Sequence, residues 1–434
     1  MRSLIIFVLY AFISSSAVFA EEADEDSFPR LNFSGSFRTR FEHLDNFNVK
    51  KFATKDHDQL LLTRLRLELD CIINSDTHAF VQLQDNRFFL SDLSLRDFPA
   101  SCPFENRLDL RQAYLETQQL LESPFGFKFG RQAIAYGDNR VWGPGDWGNT
   151  GRFTWDAVKL YYHTAPVRLD FIAARQVKTD PRKFDGSHQD SNSYGIYATV
   201  PAVEACKLDM FYLLCHDHEK RYAGESGTGR KARHTVGTHI GGEFAERFDY
   251  TGTAAYQFGK HGKDDVCAYA AHGELGCTFD AKVKPRLHCG CCYASGDSHP
   301  ADGKNETFDG LNGAVDSYYG RMNLCCWKNL IDWYAGAGIK PREGVSLTLE
   351  YHCFQLAQSK DAWYYGNGNA QRRDKSGASS RDIGDEIDFI ARWKIAKNIE
   401  LMAGHSLFMP GSFVRRTGKA GDASWTFAQV NVNF

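Results

Sequence analysis

The sequence predicts an all-β protein: a single transmembrane antiparallel β-barrel of about 18 strands, with short periplasmic turns and long extracellular loops. Two patterns predict this fold class: apolar and polar residues alternate with a period of two, and short and long connections alternate along the chain. A third observation is compatible with it. The mean hydropathy of -0.43 excludes a bundle of membrane helices, whereas barrel strands expose only one apolar face and escape such averages.

The first twenty residues have the three parts of a secretory signal peptide. A basic start precedes the apolar run Leu4–Ile13, and small residues lead up to Ala20. We therefore expect residues 1–20 to be a signal peptide and residues 21–434 to be an outer-membrane β-barrel. The alternative, a buried N-terminal helix, is disfavoured because the acidic run Glu21–Asp26 would have to continue it.

Strand alternation is clear from the first predicted strand onward. In LNFSGSFRTRFEH (31–43), Phe33, Phe37 and Phe41 share one face, and Arg38 and Arg40 lie on the other. The same criterion predicts 18 strands, at 31–42, 60–73, 77–86, 108–119, 125–133, 153–163, 167–176, 191–200, 206–216, 234–246, 248–258, 265–278, 282–292, 331–339, 345–355, 382–393, 398–407 and 424–434.

The connections follow a rhythm that predicts closure in a membrane. After each even strand the connection is about one to five residues, as at 74–76 and 164–166, whereas after odd strands it is about six to nearly 40. An even strand count brings both ends of the barrel to the short-turn rim. Pairing the last strand with the first removes the unpaired edges that lipid does not tolerate.

In such a barrel the apolar face points to lipid and the polar face to the lumen. The Arg38/Arg40 and Arg64/Arg66 doublets then place four cations on one wall, with few acids nearby to neutralise them. A basic lumen attracts an anionic solute, and arginine forks suit carboxylates. The alternative is that the lumen charges pair with each other and hold the barrel's shape. The predicted lumen cations are Arg38, Arg40, Arg64, Arg66, Lys128, Lys159, Lys284, Arg286 and Arg392, and the acids are Glu42, Glu68, Asp70, Glu350, Glu386 and Asp388.

The net charge and the cysteines carry little functional signal. A net charge of -3 gives no indication of a nucleic-acid partner. The chain has 12 cysteines, and their spacing fits no standard zinc pattern. We expect them mainly to pack as small apolar residues, with disulfides and a metal site as the two alternatives.

One long block resembles a known family. FGFKFGRQAIAYGDNRVWGPGDWGNTGRFTWDAVKLYY (125–162) resembles the signature block of the alginate-export family of outer-membrane porins, and four later segments, at 293–310, 349–354, 382–393 and 404–414, resemble its later blocks in the same order. The resemblance implies an 18-stranded barrel through which an anionic polysaccharide such as alginate diffuses, with no enzymatic step. It also implies lumen arginines that bind uronate carboxylates.

The resemblance adds three residues to the predicted lining. Arg131, Arg140 and Arg152 match basic positions of the motif, in a loop that can fold into the pore. Its tryptophans, Trp142, Trp147 and Trp155, either stack on sugar rings or, as we favour, pack the loop against the wall. The predicted pore-lining set is Arg38, Arg40, Arg64, Arg66, Lys128, Arg131, Arg140, Arg152, Lys159 and Arg286.

The chain also departs from the family pattern. The predicted penultimate strand offers His405 where the family's best-known members have a basic residue, and the cysteine content is unusual. The substrate is therefore alginate, another acidic glycan or a neutral one. Two other classes remain as alternatives: a plugged structural or adhesive barrel, and a secreted β-rich polysaccharide-degrading enzyme.

The remaining expectations concern partners. The loop 294–330 carries oxygen ligands that make it a candidate Ca²⁺ site, although a solvated loop is the simpler interpretation; these ligands are Asp297, Asp302, Asn305, Asp309 and Asp316. The segment TFAQVNVNF, ending at Phe434, resembles the insertion signal of the barrel-assembly machinery, and Trp425 occupies a candidate girdle position at the lipid interface. Outer-membrane lipid and periplasmic export components complete the expected partners.

Overall fold

The structure, a computed structural model, describes residues 28–49, 51–203, 206–310, 312–316 and 318–434. The expected signal peptide lies outside these residues. Eighteen antiparallel strands form a closed barrel, which confirms the predicted fold class. The strands are β1 Arg30–Asn48, β2 Lys51–Ile72, β3 Thr77–Phe89, β4 Asn106–Thr117, β5 Phe125–Gln132, β6 Trp155–His163, β7 Arg168–Lys178, β8 Gly186–Val203, β9 Cys206–Gly224, β10 Gly227–Phe244, β11 Phe248–His261, β12 Asp264–Thr278, β13 Arg286–Ala294, β14 Leu330–Arg342, β15 Val345–Leu356, β16 Asp382–Ala396, β17 Ile399–Pro410 and β18 Ala423–Asn433.

The ring closes between the last strand and the first. In the β1–β18 ladder, Phe37 lies opposite Val432 and Arg38 lies opposite Asn431. The pairing continues one residue past β18, where the Gly35 N–H donates to the Phe434 carbonyl at 2.7 Å. The barrel strands are thus paired on both sides, as a structure in lipid requires.

The two faces of the barrel wall have the predicted chemistry. Phe33 is 77% exposed on the outer face of β1, whereas Arg38 and Arg40 on the inner face are each only 3% exposed. Within the described residues, no helix combines the length and the apolar character needed to cross a membrane. The helical segments are short: a 3-10 turn at Leu95–Asp97 and one α-helix, α1, at Ser412–Thr417.

Trp425 does not lie at the lipid interface, so the girdle prediction is wrong. Its side chain is 4% exposed, donates from Nε1 to Glu42 Oε2 at 3.2 Å and stacks on Phe427. The reason is the period of the strand. Residues two apart on a strand share a face, and Ala428 and Val430 are exposed on the outer face. Trp425 is three residues before Ala428, so its side chain points into the lumen.

Two hairpins extend further than the alternation predicts. β1 and β2 continue to Asn48 and Lys51, and β9 and β10 continue to Gly224 and Gly227, where the sequence predicted long loops. These strands have 18 to 22 residues, which is longer than the roughly 9–11 residues that a strand needs to span a bilayer, so their ends are free of the alternation that lipid imposes. The residue pattern therefore predicts a loop in both places, but the backbones of the two strands remain paired up to the turn.

The true long loops turn inward and build an apolar core inside the barrel. Phe52 of β2, Trp363 of the loop 357–381 and Phe408 of β17 pack together, with the Phe52 ring 5.7 Å from that of Trp363 and 5.5 Å from that of Phe408. Trp363 Nε1 donates to the Leu324 carbonyl of the loop 295–329 at 2.9 Å. Short strands order these two loops, at Lys304–Asn305, Ala362–Tyr364 and Ala370–Arg373.

All twelve cysteines lie in the described residues and all are free thiols. Cys267 and Cys289 are exposed on strands, and Cys325 and Cys326 are buried in the loop core. Their positions agree with the packing interpretation rather than with a disulfide framework.

Gly130 gives a direct test of the wall geometry. Its φ is +125°, and a Cβ at this position would lie 2.2 Å from the Ala113 carbonyl oxygen of β4. We expect Gly130→Ala to destabilise the folded barrel by about 1–3 kcal/mol because it adds backbone strain and a clash. The measurement is a urea titration of the folded fraction in detergent or lipid.

Gly273→Ala is the matched control, because a Cβ at Gly273 has no neighbour within 4 Å. Equal destabilisation by the two substitutions would contradict the assigned β4–β5 geometry.

Candidate functional site

The first strands bring arginines together on one lumen wall. Arg38 of β1 lies directly opposite Arg64 of β2, and Arg66 lies opposite Ser36, so the predicted doublets do share a wall. Arg111 of β4 joins them. We call Arg38, Arg40, Arg64, Arg66 and Arg111 the arginine cluster.

Arg111 was absent from the sequence prediction. Two-residue alternation puts it on the same face as Asp109, but a bulge in the β3–β4 ladder between Gln82 and Leu83 changes the facing of the rest of β4. The signal for Arg111 in the sequence was its two-residue spacing from Asp109, which places both side chains on one face of a strand. A bulge of this kind cannot be located from alternation.

The loop 133–154, hereafter the lumen loop, covers the arginine cluster with backbone carbonyls. The Trp147 carbonyl accepts from Arg38 Nη1 and from Arg40 Nη1, each at 3.0 Å. Arg64 Nη1 donates to the Asp146 carbonyl at 2.9 Å, and the Gly148 carbonyl accepts from Arg38 Nη2 at 3.2 Å. Three successive peptide dipoles therefore face the guanidinium groups without neutralising their charge.

One side chain of the lumen loop supplies a negative charge. Asp146 Oδ1 lies 2.8 Å from Arg66 Nη2 and 3.4 Å from Arg111 Nη2. Burial alone would raise the pKa of the Asp146 carboxyl, but Arg66, Arg111 and Arg64 outweigh it and hold that pKa well below its usual range. The side chain is still 52% exposed, so water in the lumen screens these contacts.

The charge balance of the cluster is strongly positive. Among the residues that the structure describes, the other carboxylate in contact with these arginines is that of Glu42, whose Oε1 lies 2.6 Å from Arg40 Nε. Three of the five guanidinium groups contact these two carboxylates, while Arg38 and Arg64 donate to loop carbonyls. Within the cluster, positive charges therefore outnumber these negative charges by three.

Gly151 lets the lumen loop approach this closely. Its φ is +68°, and a Cβ at this position would lie 2.4 Å from Arg111 Nη2. A side chain here would collide with the guanidinium group, which gives one glycine of the motif a physical role.

Four other predicted residues are paired with acids on the wall. Lys128 lies 3.0 Å from Glu116, Lys159 lies 3.1 Å from Asp170, and Arg131 Nε lies 2.8 Å from Asp156 Oδ1. Arg286 Nη2 contacts Asp249 and Glu274, at 2.5 and 2.9 Å. Arg131 lies near the end of β5, within the predicted strand 125–133, although the resemblance grouped it with the residues of the following loop. Of the other predicted lumen cations, Lys284 lies in the turn 279–285, and Arg392 Nη1 lies 3.7 Å from Glu400 Oε1 with its side chain 48% exposed.

Arg140 anchors the lumen loop to the far wall. It is 5% exposed, its Nε lies 3.0 Å from Asp138 Oδ2, and its Nη2 lies 3.1 Å from His272 Nε2 of β12. Its guanidinium also lies 4.5 Å from the centre of the Tyr318 ring. Arg152 donates from Nη1 to the Gly366 carbonyl at 3.1 Å. The lumen loop therefore crosses the interior from β1 and β2 to β12, and the pore-lining role of the ten predicted residues stays a prediction.

The tryptophans of this region hold the loop in place. Trp142 and Trp155 are 1% and 0% exposed, with ring centres 5.8 Å apart. Trp147 lies under the Arg40 guanidinium at 4.5 Å and packs on Phe427 of β18. In this arrangement they fill space, as the packing interpretation expects.

The candidate Ca²⁺ ligands of the loop 294–330 have separate partners. Asp309 Oδ2 lies 2.9 Å from Lys231 Nζ, Asp316 accepts from Asn323 at 3.1 Å, and Asn305 accepts from Arg233 at 2.7 Å. Among the described acids, histidines and cysteines, these residues do not converge into a ligand set.

We expect Arg140→Ala to lower the free energy of unfolding by about 3 kcal/mol, because it leaves the Asp138 charge without its partner. Arg152→Ala, in the same loop, removes one hydrogen bond to a backbone carbonyl and should cost only about 1 kcal/mol. Chemical unfolding of the two variants measures the difference. Equal losses would mean that Arg140 is not the principal anchor.

Asp297 makes the inward loops sensitive to pH. Its N–H donates to Asp361 Oδ2 at 3.0 Å. Burial raises the pKa of the Asp297 carboxyl to about 7, with Glu225 and Asp361 adding to the effect. Because the unfolded pKa is about 4, the folded state holds the extra proton, and stability falls as the pH rises from about 4 to about 7.

We therefore expect the loop 295–329 to become more sensitive to protease between pH 5 and pH 8. Asp297→Asn, which stays neutral, should remove this pH dependence. Asp302→Asn, an exposed carboxyl in the same loop, should retain it. An unchanged pH profile in the Asp297 variant would contradict the assignment.

Comparisons with known proteins agree with this architecture. The family model described as alginate export matches residues 29–427. No curated protein matches the chain.

Several solved outer-membrane structures share the fold. The crystal structure of Pseudomonas aeruginosa OccK9 (OpdG) aligns with a TM-score of 0.63 at 11% identity, covering 93% of this chain and 98% of that chain. Acinetobacter baumannii OccAB4 aligns with a TM-score of 0.61 at 11% identity, covering 95% and 100%, and P. aeruginosa OccK11 (OpdR) with 0.59 at 13% identity, covering 93% and 96%. At such identities the likeness concerns the fold alone. Because the family model spans nearly the whole chain, the protein belongs to the alginate export family and is an outer-membrane β-barrel channel.

Proposed function

We propose that the protein is a passive channel through which an anionic polysaccharide, of the uronate type found in alginate, diffuses across the outer membrane. The observation that carries this proposal is the arginine cluster, which groups five guanidinium groups with two contacting carboxylates, those of Glu42 and Asp146. A surplus of three positive charges in the lumen concentrates anions and disfavours cations. Family membership supports a polysaccharide as the solute.

Asp146 indicates how a uronate would be held. Its carboxylate lies between Arg66 and Arg111, and each uronic-acid residue of a polysaccharide presents the same chemical group. A uronate that enters the cluster competes with Asp146 for these arginines, and Arg38, Arg40 and Arg64 exchange loop carbonyls for the stronger charged acceptor.

Release has to be as easy as entry. The Asp146 side chain is half-exposed, so its contacts with Arg66 and Arg111 are open to water. Because several cations lie side by side, a chain can pass its carboxylates from one guanidinium to the next without a deep minimum. A barrel has no energy source, and direction follows from the concentration gradient or from partners. Periplasmic export components and the barrel-assembly machinery remain predicted partners.

The lumen loop favours one alternative, a barrel that is plugged and serves a structural or adhesive role. It crosses the lumen and is held at both walls by Arg64 and Arg140. Open-channel current separates the two functions. A polysaccharide-degrading enzyme would instead release reducing ends or unsaturated uronates, which the purified barrel is not expected to do.

In planar bilayers with a KCl gradient we expect anion selectivity and block by uronate oligomers but not by neutral glucan oligomers. Arg64→Ala with Arg66→Ala should lower the chloride-to-potassium permeability ratio roughly threefold, because it removes two of the surplus charges. Asp146→Asn should raise that ratio, since it removes an acid from the cluster.

Arg131→Ala is the control, because Arg131 is already paired with Asp156 and should shift selectivity least. A channel without conductance would support the plugged alternative. Cation preference, or equal effects of the cluster and control variants, would overturn the proposed anion path.

A further inference from the structure

We propose that the lumen wall formed by β14–β16 holds a divalent transition-metal cation, such as Zn²⁺, bound by His352, Asp388 and Glu350. The ligand atoms of these three side chains all lie within 4.8 Å of one another, and this is the one such group in the described part of the chain. The site lies on a different part of the ring from the arginine cluster and is independent of the proposed solute.

Strand pairing places the ligands on one face. In the β15–β16 ladder, Glu350 lies opposite Asp388 and His352 lies opposite Glu386. Residues at i and i+2 share a face, so the four side chains form a square on the lumen side of two neighbouring strands. The wall, rather than a loop, therefore sets their spacing.

His352 is oriented as a metal-binding histidine is. Its Nδ1 lies 3.1 Å from both carboxylate oxygens of Asp332 on β14, which leaves Nε2 directed at Asp388. A carboxylate on one ring nitrogen that fixes the other for a metal is a recurrent arrangement in metal sites.

The distance from His352 Nε2 to Asp388 Oδ2 is 3.9 Å. This is too long for a hydrogen bond. A cation with bonds of about 2.1 Å to both atoms would draw them to about 3.0–3.5 Å, a shift of less than about 1 Å.

The charges around the site are unbalanced. Asp332, Glu386 and Asp388 are each 0% exposed, and Glu350 lies beside them. In the described part of the chain, the guanidinium in contact with these acids is that of Arg321, whose Nη2 lies 3.5 Å from Glu350 Oε2. Several buried carboxylates beside one permanent cation require protons or a bound cation.

Glu386 points independently to a missing partner. It is fully buried, and its Oε2 has no hydrogen-bond partner, while its carboxyl touches that of Asp388. Two carboxylates in contact repel each other unless a proton or a cation lies between them. Glu386 lies outside the group of three ligands, but a cation bound by Asp388 would also offset the charge of its neighbour Glu386.

The ligand carboxylates have other partners, but each carboxylate oxygen can accept more than one contact. Glu350 Oε1 lies 3.3 Å from His288 Nε2, and Asp388 Oδ1 accepts from Ser406. The donor set combines an imidazole nitrogen with carboxylate oxygens. Zn²⁺ and related ions accept such mixed sets, whereas Ca²⁺ and Mg²⁺ prefer oxygen alone.

A cation here would also fasten an inward loop. The Met322 N–H donates to Glu386 Oε1 at 2.9 Å, and the Arg321 N–H donates to Asp388 Oδ2 at 3.2 Å. The carboxylates that bind the metal therefore also hold the loop 295–329 against the wall.

The test is Zn²⁺ titration of the purified full-length barrel in detergent, after chelator treatment, with bound metal measured by calorimetry and elemental analysis. We expect one Zn²⁺ per barrel, bound more tightly than Ca²⁺ or Mg²⁺. His352→Gln and Asp388→Asn should each weaken Zn²⁺ binding at least tenfold, and Glu386→Gln should weaken it to a smaller degree.

His405→Gln is the matched control, because His405 is exposed on β17 and hydrogen-bonded to Thr426. Heat-modifiable gel mobility identifies variants that remain folded, and wild-type stoichiometry is itself a result that needs no variant. The proposal is overturned if the wild type binds no stoichiometric Zn²⁺, the outcome expected when Glu386 and Asp388 share a proton. It is also overturned if His352→Gln binds like the control, or if Ca²⁺ binds more tightly than Zn²⁺.

Discussion

The contact between the lumen loop and the arginine cluster is the interaction on which the interior depends. Barrel walls of 18 strands enclose a wide lumen, and something has to set its effective width. Here the carbonyls of Asp146, Trp147 and Gly148 face guanidinium groups of β1 and β2. Since peptide carbonyls satisfy hydrogen bonds without cancelling charge, the wall remains strongly positive while the loop stays in place.

The periodicity predicted the wall well because lipid enforces it. A strand that spans the membrane has to alternate, so the 18 strands, their order and the shared wall of Arg38 and Arg64 all follow from a period of two. Where strands leave the lipid, as in the β1–β2 and β9–β10 hairpins, the constraint ends and the prediction failed. The partner of Trp425, Glu42, comes from the far end of the chain and has no local signal.

The ion pairs of the lumen charges are harder to predict from the sequence than the face of the wall on which each charge lies. Alternation places Lys159 and Arg286 in the lumen correctly, but it cannot say that Asp170 and Asp249 neutralise them. The surplus of positive charge is a property of three-dimensional neighbours. It depends on Arg111, which lies at the β-bulge in β4, and on Asp146, the loop carboxylate that reaches the cluster.

Trp147 has a consequence for how the molecule is completed. Its carbonyl binds β1 through Arg38, while its indole packs against Trp425 and Phe427 of β18. The lumen loop therefore bridges the seam where the two ends of the chain meet. These contacts cannot all exist until that seam has formed, so the interior is finished only after the ring has closed. A seam braced from inside is then harder to reopen than its backbone hydrogen bonds alone would make it.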